Sequence, residues 1–230
     1  MHVRQIQLPL SNIHIILGDR AILVDTGGPK DGPRITKALQ REGLHLSDLS
    51  LIVLTHGHAD HAGGTTSLRA CAQTPVAMHV ADAHMVRSGK NDPLHPIGLE
   101  ARLVLPFVNV PFPPFEPDIL FERTLDLHPY GVAGTVLAMP GHTAGSVVVV
   151  LESGDAIVGD IVRGGMLGGR LFPSRPAMNY YTDDMERERE AIRRVVELPV
   201  TRLYVGHGGP LRREAVQKRL VQHQYEGRNE

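Results

Sequence analysis

The chain has 230 residues, which suits one domain with a sizeable core, since a chain of this size buries roughly 70% of its unfolded surface. Its formal charge is −1, and no run approaches the ~20 apolar residues of a membrane span, so neither nucleic acid nor a membrane is an expected partner. The single cysteine, Cys71, excludes an intrachain disulfide and points to the cytoplasm, while 24 glycines and 17 prolines call for many turns.

Residues 1–10 carry charge and a proline but no small-residue cleavage site, and read as a first strand and not as a signal peptide. Apolar runs at 12–17 and 20–25 flank Gly18-Asp19, a hairpin signal, and Asp25-Thr26-Gly27-Gly28 ends the second run. Pro33 opens a helix over 34–41, which Gly43 stops. Leu51 to Leu54 has the unbroken apolar character of a strand buried on both faces, and residues 56–61 follow it as a loop. A helix over 62–71 is weakened by Gly63 and Gly64, and Cys71 within it reads as a packing residue. Residues 75–80 predict a short strand and 81–87 a helix.

The middle of the chain differs. Residues 88–118 hold Pro93, Pro96, Pro106, Pro111, Pro113, Pro114 and Pro117, with Phe107, Phe112 and Phe115 among them. That composition argues against regular elements. The segment reads as an insertion that walls or covers an active site, or as a surface connection whose rings dock on the core. Strands resume at 134–139, 146–152 and 155–159. Gly164, Gly165, Gly168 and Gly169 mark a flexible stretch. Residues 183–198 predict an amphipathic helix through Met185, Ile192, Val195 and Val196. A last strand lies at 202–205, and a terminal helix spans 210–224 with Pro210 in its first turn. Two groups of strands, each followed by helices, predict an α/β fold of two packed sheets with helices outside.

The chemistry concentrates in Thr55-His56-Gly57-His58-Ala59-Asp60-His61, where four potential ligands follow a buried strand. Imidazole and carboxylate suit Zn²⁺, Mn²⁺ and Fe²⁺ alike. His56 and His58 can face one ion while Asp60 and His61 turn toward a second. Without such a use, clustered histidines carry desolvation cost with little packing gain. Three later strand ends flanked by glycine extend the set: Gly141-His142-Thr143-Ala144-Gly145-Ser146, Gly159-Asp160 and Gly206-His207-Gly208-Gly209. Each alone is equally an ordinary turn. Among the other histidines, His2, His45, His128 and His223 read as surface positions, and His14, His79 and His84 as partly buried. His95 lies in the Pro-rich segment, where it could touch a substrate.

In order and spacing these segments, with Asp25-Thr26-Gly27 ahead of them, resemble the metallo-β-lactamase superfamily, and within it the glyoxalase II-like hydrolases. The resemblance implies an αβ/βα four-layer sandwich with the site at one edge between the sheets. It implies one metal held by His56, His58 and His142, a second held by Asp60, His61 and His207, and Asp160 bridging the two. Two Zn²⁺ ions are the implied cofactors, with Fe²⁺ or Mn²⁺ as substitutes. Asp25 would hold the 56–61 loop, and Thr143 and Ser146 the turn carrying His142. Two such ions lower the pKa of a shared water toward ~7, and the hydroxide attacks an ester, thioester or lactone. Asp60 would serve as ligand and as proton shuttle. A small-molecule substrate is expected, and the apolar Pro-Phe loops can equally serve a homodimer interface.

Departures from the family's branches narrow the expectation. Glyoxalase II enzymes carry an extra C-terminal helical domain with basic residues for glutathione, whereas 23 residues follow His207 here, which disfavours the glutathione thioester. Lactonases of the superfamily often place tyrosine three residues after the bridging aspartate. This chain has Arg163 there, leaving Tyr180 or Tyr181 as a substitute donor and Arg163 to meet a substrate carboxylate or phosphate. The branch with a cysteine ligand is disfavoured by Asp160, and nucleases by the charge. The alternative from another class is a mononuclear iron persulfide dioxygenase, which draws two histidines and an aspartate from the same set.

Overall fold

In the computed structural model, which describes residues 1–222, side chains along the strands alternate between two apolar surroundings. β1 (His2–Gln7), β2 (Asn12–Leu17), β3 (Ala21–Val24), β4 (Leu49–Val53), β5 (Val76–His79) and β6 (Ile119–Phe121) form the first sheet in that order. β1 to β3 pair antiparallel, and β3 to β6 pair parallel. The crossovers carry α1 (Gly32–Arg41), α2 (Ala59–Ala62), α3 (Thr65–Arg69), α4 (Ala83–Ser88) and α5 (Gly98–Val108). Next come β7 (Thr124–Asp126), β8 (Gly134–Ala138), β9 (Val147–Leu151) and β10 (Asp155–Ile157), then a two-stranded ribbon of β11 (Arg163–Met166) and β12 (Leu171–Ala177). The chain ends with α6 (Met185–Glu197), β13 (Arg202–Tyr204), β14 (Leu211–Arg212) and α7 (Arg213–Val216), the last continued by a wider helical turn to Gln222. The second sheet runs β14-β13-β10-β9-β8-β7.

The alternation stacks these elements into four layers. Ile22, Val24, Leu51 and Val53 of the first sheet meet Val147, Val149, Leu151 and Ile157 of the second, forming the core between the sheets. The intervening residues Leu23, Ile52 and Leu54 face outward and pack with Ile35 and Leu39 of α1 and Leu68 of α3. Val148, Ala156 and Leu203 pack on Ile192 and Val195 of α6. Burying each of these large side chains stabilises the fold by about 1.5–3 kcal/mol. The expected αβ/βα sandwich is therefore present. No helix among the described residues is long and apolar enough to cross a membrane.

Several local expectations are corrected. The 56–61 loop ends early, because Ala59 to Ala62 already forms α2, so Asp60 and His61 sit on a helix. Gly63 and Gly64 then divide the predicted 62–71 helix into α2 and α3, and Cys71 lies exposed just past α3. The Pro-rich segment contains α5, for residues 99–105 hold no proline and are mostly good helix formers. Pro106 falls near its end, gives up its own amide bond and crowds the carbonyl one turn back, and the helix stops two residues later at Val108. The glycine stretch 164–169 is paired backbone, the ribbon β11–β12, with Gly168 and Gly169 supplying positive φ at its tip. Pro210 does not open a helix. Leu211 instead pairs with Leu203 and is buried, adding β14 to the sheet edge before α7 begins. His14 is wholly buried, whereas His84 is exposed. His223 and the end of the predicted terminal helix lie outside the described residues.

Candidate metal centre

Every element of the sequence motif arrives at the site from a strand end. β4 delivers His56 and His58, and α2 turns Asp60 and His61 back over the same spot. The turn between β8 and β9 brings His142, the end of β10 brings Asp160, and the end of β13 brings His207. All seven side chains are brought together, each at most 7% exposed. Three groups of potential ligand atoms lie mutually within 4.8 Å: His56, His58 and His142; Asp60, His61 and His207; and His56, His61 and Asp160. Asp160 stands between the first two groups. Its Oδ2 is 3.0 Å from His207 Nε2 and 3.8 Å from His142 Nε2, and its Oδ1 is 3.4 Å from His61 Nε2. Asp60 Oδ2 lies 3.5 Å from His207 Nε2 and 3.7 Å from His61 Nε2.

Backbone and carboxylate partners aim the rings. His142 Nδ1 meets the carbonyl of Tyr181 at 2.7 Å, and His207 Nδ1 that of Leu10 at 2.8 Å. His61 Nδ1 meets Asp25 Oδ2 at 2.8 Å. Asp25 also accepts from the Thr55 amide at 2.7 Å and from the Thr55 hydroxyl, which in turn lies 3.1 Å from His56 Nδ1. One buried carboxylate thus orients two rings, from a backbone held at φ 64°. With Nδ1 engaged, each of these rings turns Nε2 inward. His58 is the exception: its Nδ1 faces His142 Nε2 at 3.1 Å.

A further carboxylate, Asp82, escaped the sequence reading. It accepts from the Gly57 amide at 2.9 Å, the Gly145 amide at 2.7 Å and the Thr143 hydroxyl at 2.8 Å. It therefore ties the turn carrying His142 to the loop carrying His56 and His58. Burial pushes its carboxyl up, against the pull of these hydrogen bonds. Within the turn, Ser146 Oγ accepts from the Thr143 amide at 3.0 Å. Asn91 was missed as well. Its Oδ1 receives the Ala59 amide at 2.8 Å, and its amide donates to the Val108 carbonyl, joining α2 to the end of α5. A short loop leaving β5 and an asparagine among prolines gave no signal by themselves.

Charge is divided across the cluster. Burial, then neighbouring imidazoles, hold His56 and His58 well below the usual histidine range, so both rings are neutral and carry a lone pair. Burial also opposes charge on His61, but Asp160, Asp60 and Asp25 outweigh it and raise the ring to about 10. His207 is raised by Asp160 against burial in the same way. Asp160 is held well below the carboxylate range because His207 and His61 overcome its burial. Even so, His56 Nε2, His61 Nε2 and Asp160 Oδ1 are buried with no hydrogen-bond partner. Leaving each unsatisfied costs about 1–3 kcal/mol, a cost that a bound cation removes once it displaces the proton from His61. The donor set fits divalent metal ions.

The remaining candidates sit elsewhere. Arg163 does not enter the site: its guanidinium lies 3.9 Å from the Tyr180 ring centroid and donates to the Met178 carbonyl at 2.7 Å and to that of Gly165. The Tyr180 hydroxyl donates to Glu100, and the Tyr181 hydroxyl to the Ala101 carbonyl at 2.5 Å. Both hydroxyls hold α5 and are not free as substitute donors. His95 is exposed.

With this geometry, similarity to known proteins is informative. The family model described as metallo-beta-lactamase superfamily matches residues 8–207. The probable metallo-hydrolase YflN of Bacillus subtilis is 30% identical over 83% of this chain and 76% of its own length. A hydroxyacylglutathione hydrolase of Cereibacter sphaeroides is 34% identical over 63% of this chain, which spans 44% of that relative. Among solved structures, the BLEG-1 B3 metallo-beta-lactamase aligns over 96% of this chain and 99% of its own with a TM-score of 0.70 at 22% identity. The protein TTHA1623, in a di-iron-bound form, aligns over 96% and 98% with a TM-score of 0.65 at 23% identity.

Proposed function

This chain belongs to the metallo-β-lactamase superfamily and is a hydrolase with a metal-binding His/Asp cluster, and from that premise we propose that it is a dinuclear enzyme cleaving an ester, thioester or lactone. In this reading His56, His58 and His142 would hold one ion and Asp60, His61 and His207 the other, with the Asp160 carboxylate available to both. The observation that carries it is the convergence of buried, unpartnered His56 Nε2, His61 Nε2 and Asp160 Oδ1 on one spot. Zinc is the proposed metal, and iron or manganese suits the same donors; the di-iron form of TTHA1623 concerns that protein.

Bound divalent ions supply Lewis acidity and an acidified water. The chain's own residues supply the rest. Asp25 and the carbonyls of Tyr181 and Leu10 fix ring orientation before substrate arrives, so no reorganisation is needed during reaction. Asp60 lines the cavity beside the cluster, within reach of a bound substrate. It takes at a carboxylate oxygen the proton that the attacking water loses and returns it to the leaving oxygen or sulfur as the acyl bond breaks. Water supplies the hydroxyl of the acid product, so no other co-reactant is needed.

Elemental analysis of purified protein, followed by assay on a thioester, lactone, phosphodiester and β-lactam panel, tests this reading. About two metals per chain and turnover of an acyl substrate are expected. One iron per chain with oxygen uptake on a persulfide would replace it with the dioxygenase.

A further inference from the structure

The cavity beside the cluster is lined by two chemically different kinds of side chain. It measures about 390 Å³. His58, Asp60, His142, Asp160 and His207 of the cluster line it together with the apolar side chains Leu94, Val104, Phe107, Val108 and Leu167. Tyr180 and Tyr181 also line it, but their hydroxyls are turned to Glu100 and Ala101, so they offer ring carbon to an occupant. Among the described residues Arg170 is the one Lys or Arg side chain in the lining, and it donates to the Pro9 carbonyl at 3.1 Å in an exposed position. A multiply charged leaving group finds little complement there.

The apolar wall is built from two segments locked together. Glu100 on α5 accepts from the Leu167 amide at the ribbon tip and from Tyr180. The Gly168 amide donates to the Tyr180 hydroxyl at 3.3 Å. Phe107 of α5 and Leu167 of the tip nevertheless remain 62% and 60% exposed. Large apolar side chains held in place beside a reaction centre, with much of their surface left bare, match an apolar ligand.

We propose that the substrates carry an apolar acyl chain, its carbonyl at the His/Asp cluster and its tail between α5 and the ribbon tip. This rests on the hydrolase reading above and deepens it. At ~30 Å³ for each carbon, near the share of one liquid water, an octanoyl group fills roughly two thirds of the cavity.

The test is kcat/KM of the purified protein on p-nitrophenyl esters from acetyl to decanoyl, with the leaving group constant. Full burial of a methylene is worth up to about fourfold, so a rise of at least tenfold from acetyl to octanoyl is expected. Phe107→Asp and Leu167→Asp should each lower the octanoyl-to-acetyl ratio at least tenfold. Both positions are largely exposed, and a thermal melt confirms that each variant folds. Turnover with a flat chain-length profile, or ratios unmoved in both folded variants, overturns the acyl-chain proposal and leaves the hydrolase reading standing. No turnover of any ester, thioester or lactone by metal-loaded protein overturns both.

Discussion

Asp82→Ala separates a residue that builds the site from those that fill it. The substitution strands three buried donors, the Gly57 and Gly145 amides and the Thr143 hydroxyl, at sites now 2.7–2.9 Å from the carboxylate. Each unsatisfied donor costs about 1–3 kcal/mol, and since the three share one acceptor their losses do not simply add. About 3–6 kcal/mol is the expected total. For a chain of this size each kcal/mol moves Tm by roughly 2–4 °C, so the melt should fall by about 6–24 °C. The His56/His58 loop and the His142 turn also lose their shared tether. Metal affinity should therefore drop by about 10–100-fold, as is usual when a group supporting metal ligands is removed. Asp82→Asn keeps the volume but presents an amide donor to one of the three donors, so it should fall between wild type and alanine. The assays are differential scanning fluorimetry, metal titration and kcat/KM. An alanine variant melting within about 2 °C of wild type, with unchanged metal affinity, would refute the reasoning.

His58→Ala and Asp160→Ala should abolish turnover and lower metal content; normal turnover in either, with less metal bound, removes the mechanism. Gly206→Ala places a methyl 2.0 Å from Asp160 Oδ1 and 2.6 Å from His61 Cε1, so metal affinity should fall at least about tenfold, which an unchanged titration contradicts. Glu188 is fully buried and accepts from the Thr182 hydroxyl at 2.5 Å, and burial raises its carboxyl from 4.5 to about 7. Because its folded value lies above its unfolded one, its stabilisation is complete below about 4.5 and is lost as pH rises through 7. The swing is on the order of 3 kcal/mol, so Glu188→Gln should flatten the fall in Tm between these limits; parallel profiles would show that the group does not titrate there.

What could be read in the chain was local. The strand alternation, the Gly18-Asp19 hairpin, the amphipathic α6 and the ligand-bearing strand ends each rest on neighbours in sequence; spacing clustered His56, His58, Asp60 and His61, and the family resemblance added His142, Asp160 and His207 to them. The rest depended on partners far along the chain. Asp82 shows no local pattern as a tether, because its acceptor role exists only once β5 and the β8–β9 turn lie side by side. The prolines of 88–118 argued against helix, yet the proline-free run 99–105 forms α5, and Ala101 and Val108 add packing against Tyr180 and Tyr181 that local propensity omits. The same contact turns both tyrosine hydroxyls from the substrate toward α5. Leu211 enters a strand and not a helix because burial beside Leu203 outweighs the proline signal before it. Residue type and spacing determined which groups could meet a metal. Only long-range packing decided which polar atoms face the cavity and which are consumed in holding it, since each buried group takes whatever partner the fold brings within reach.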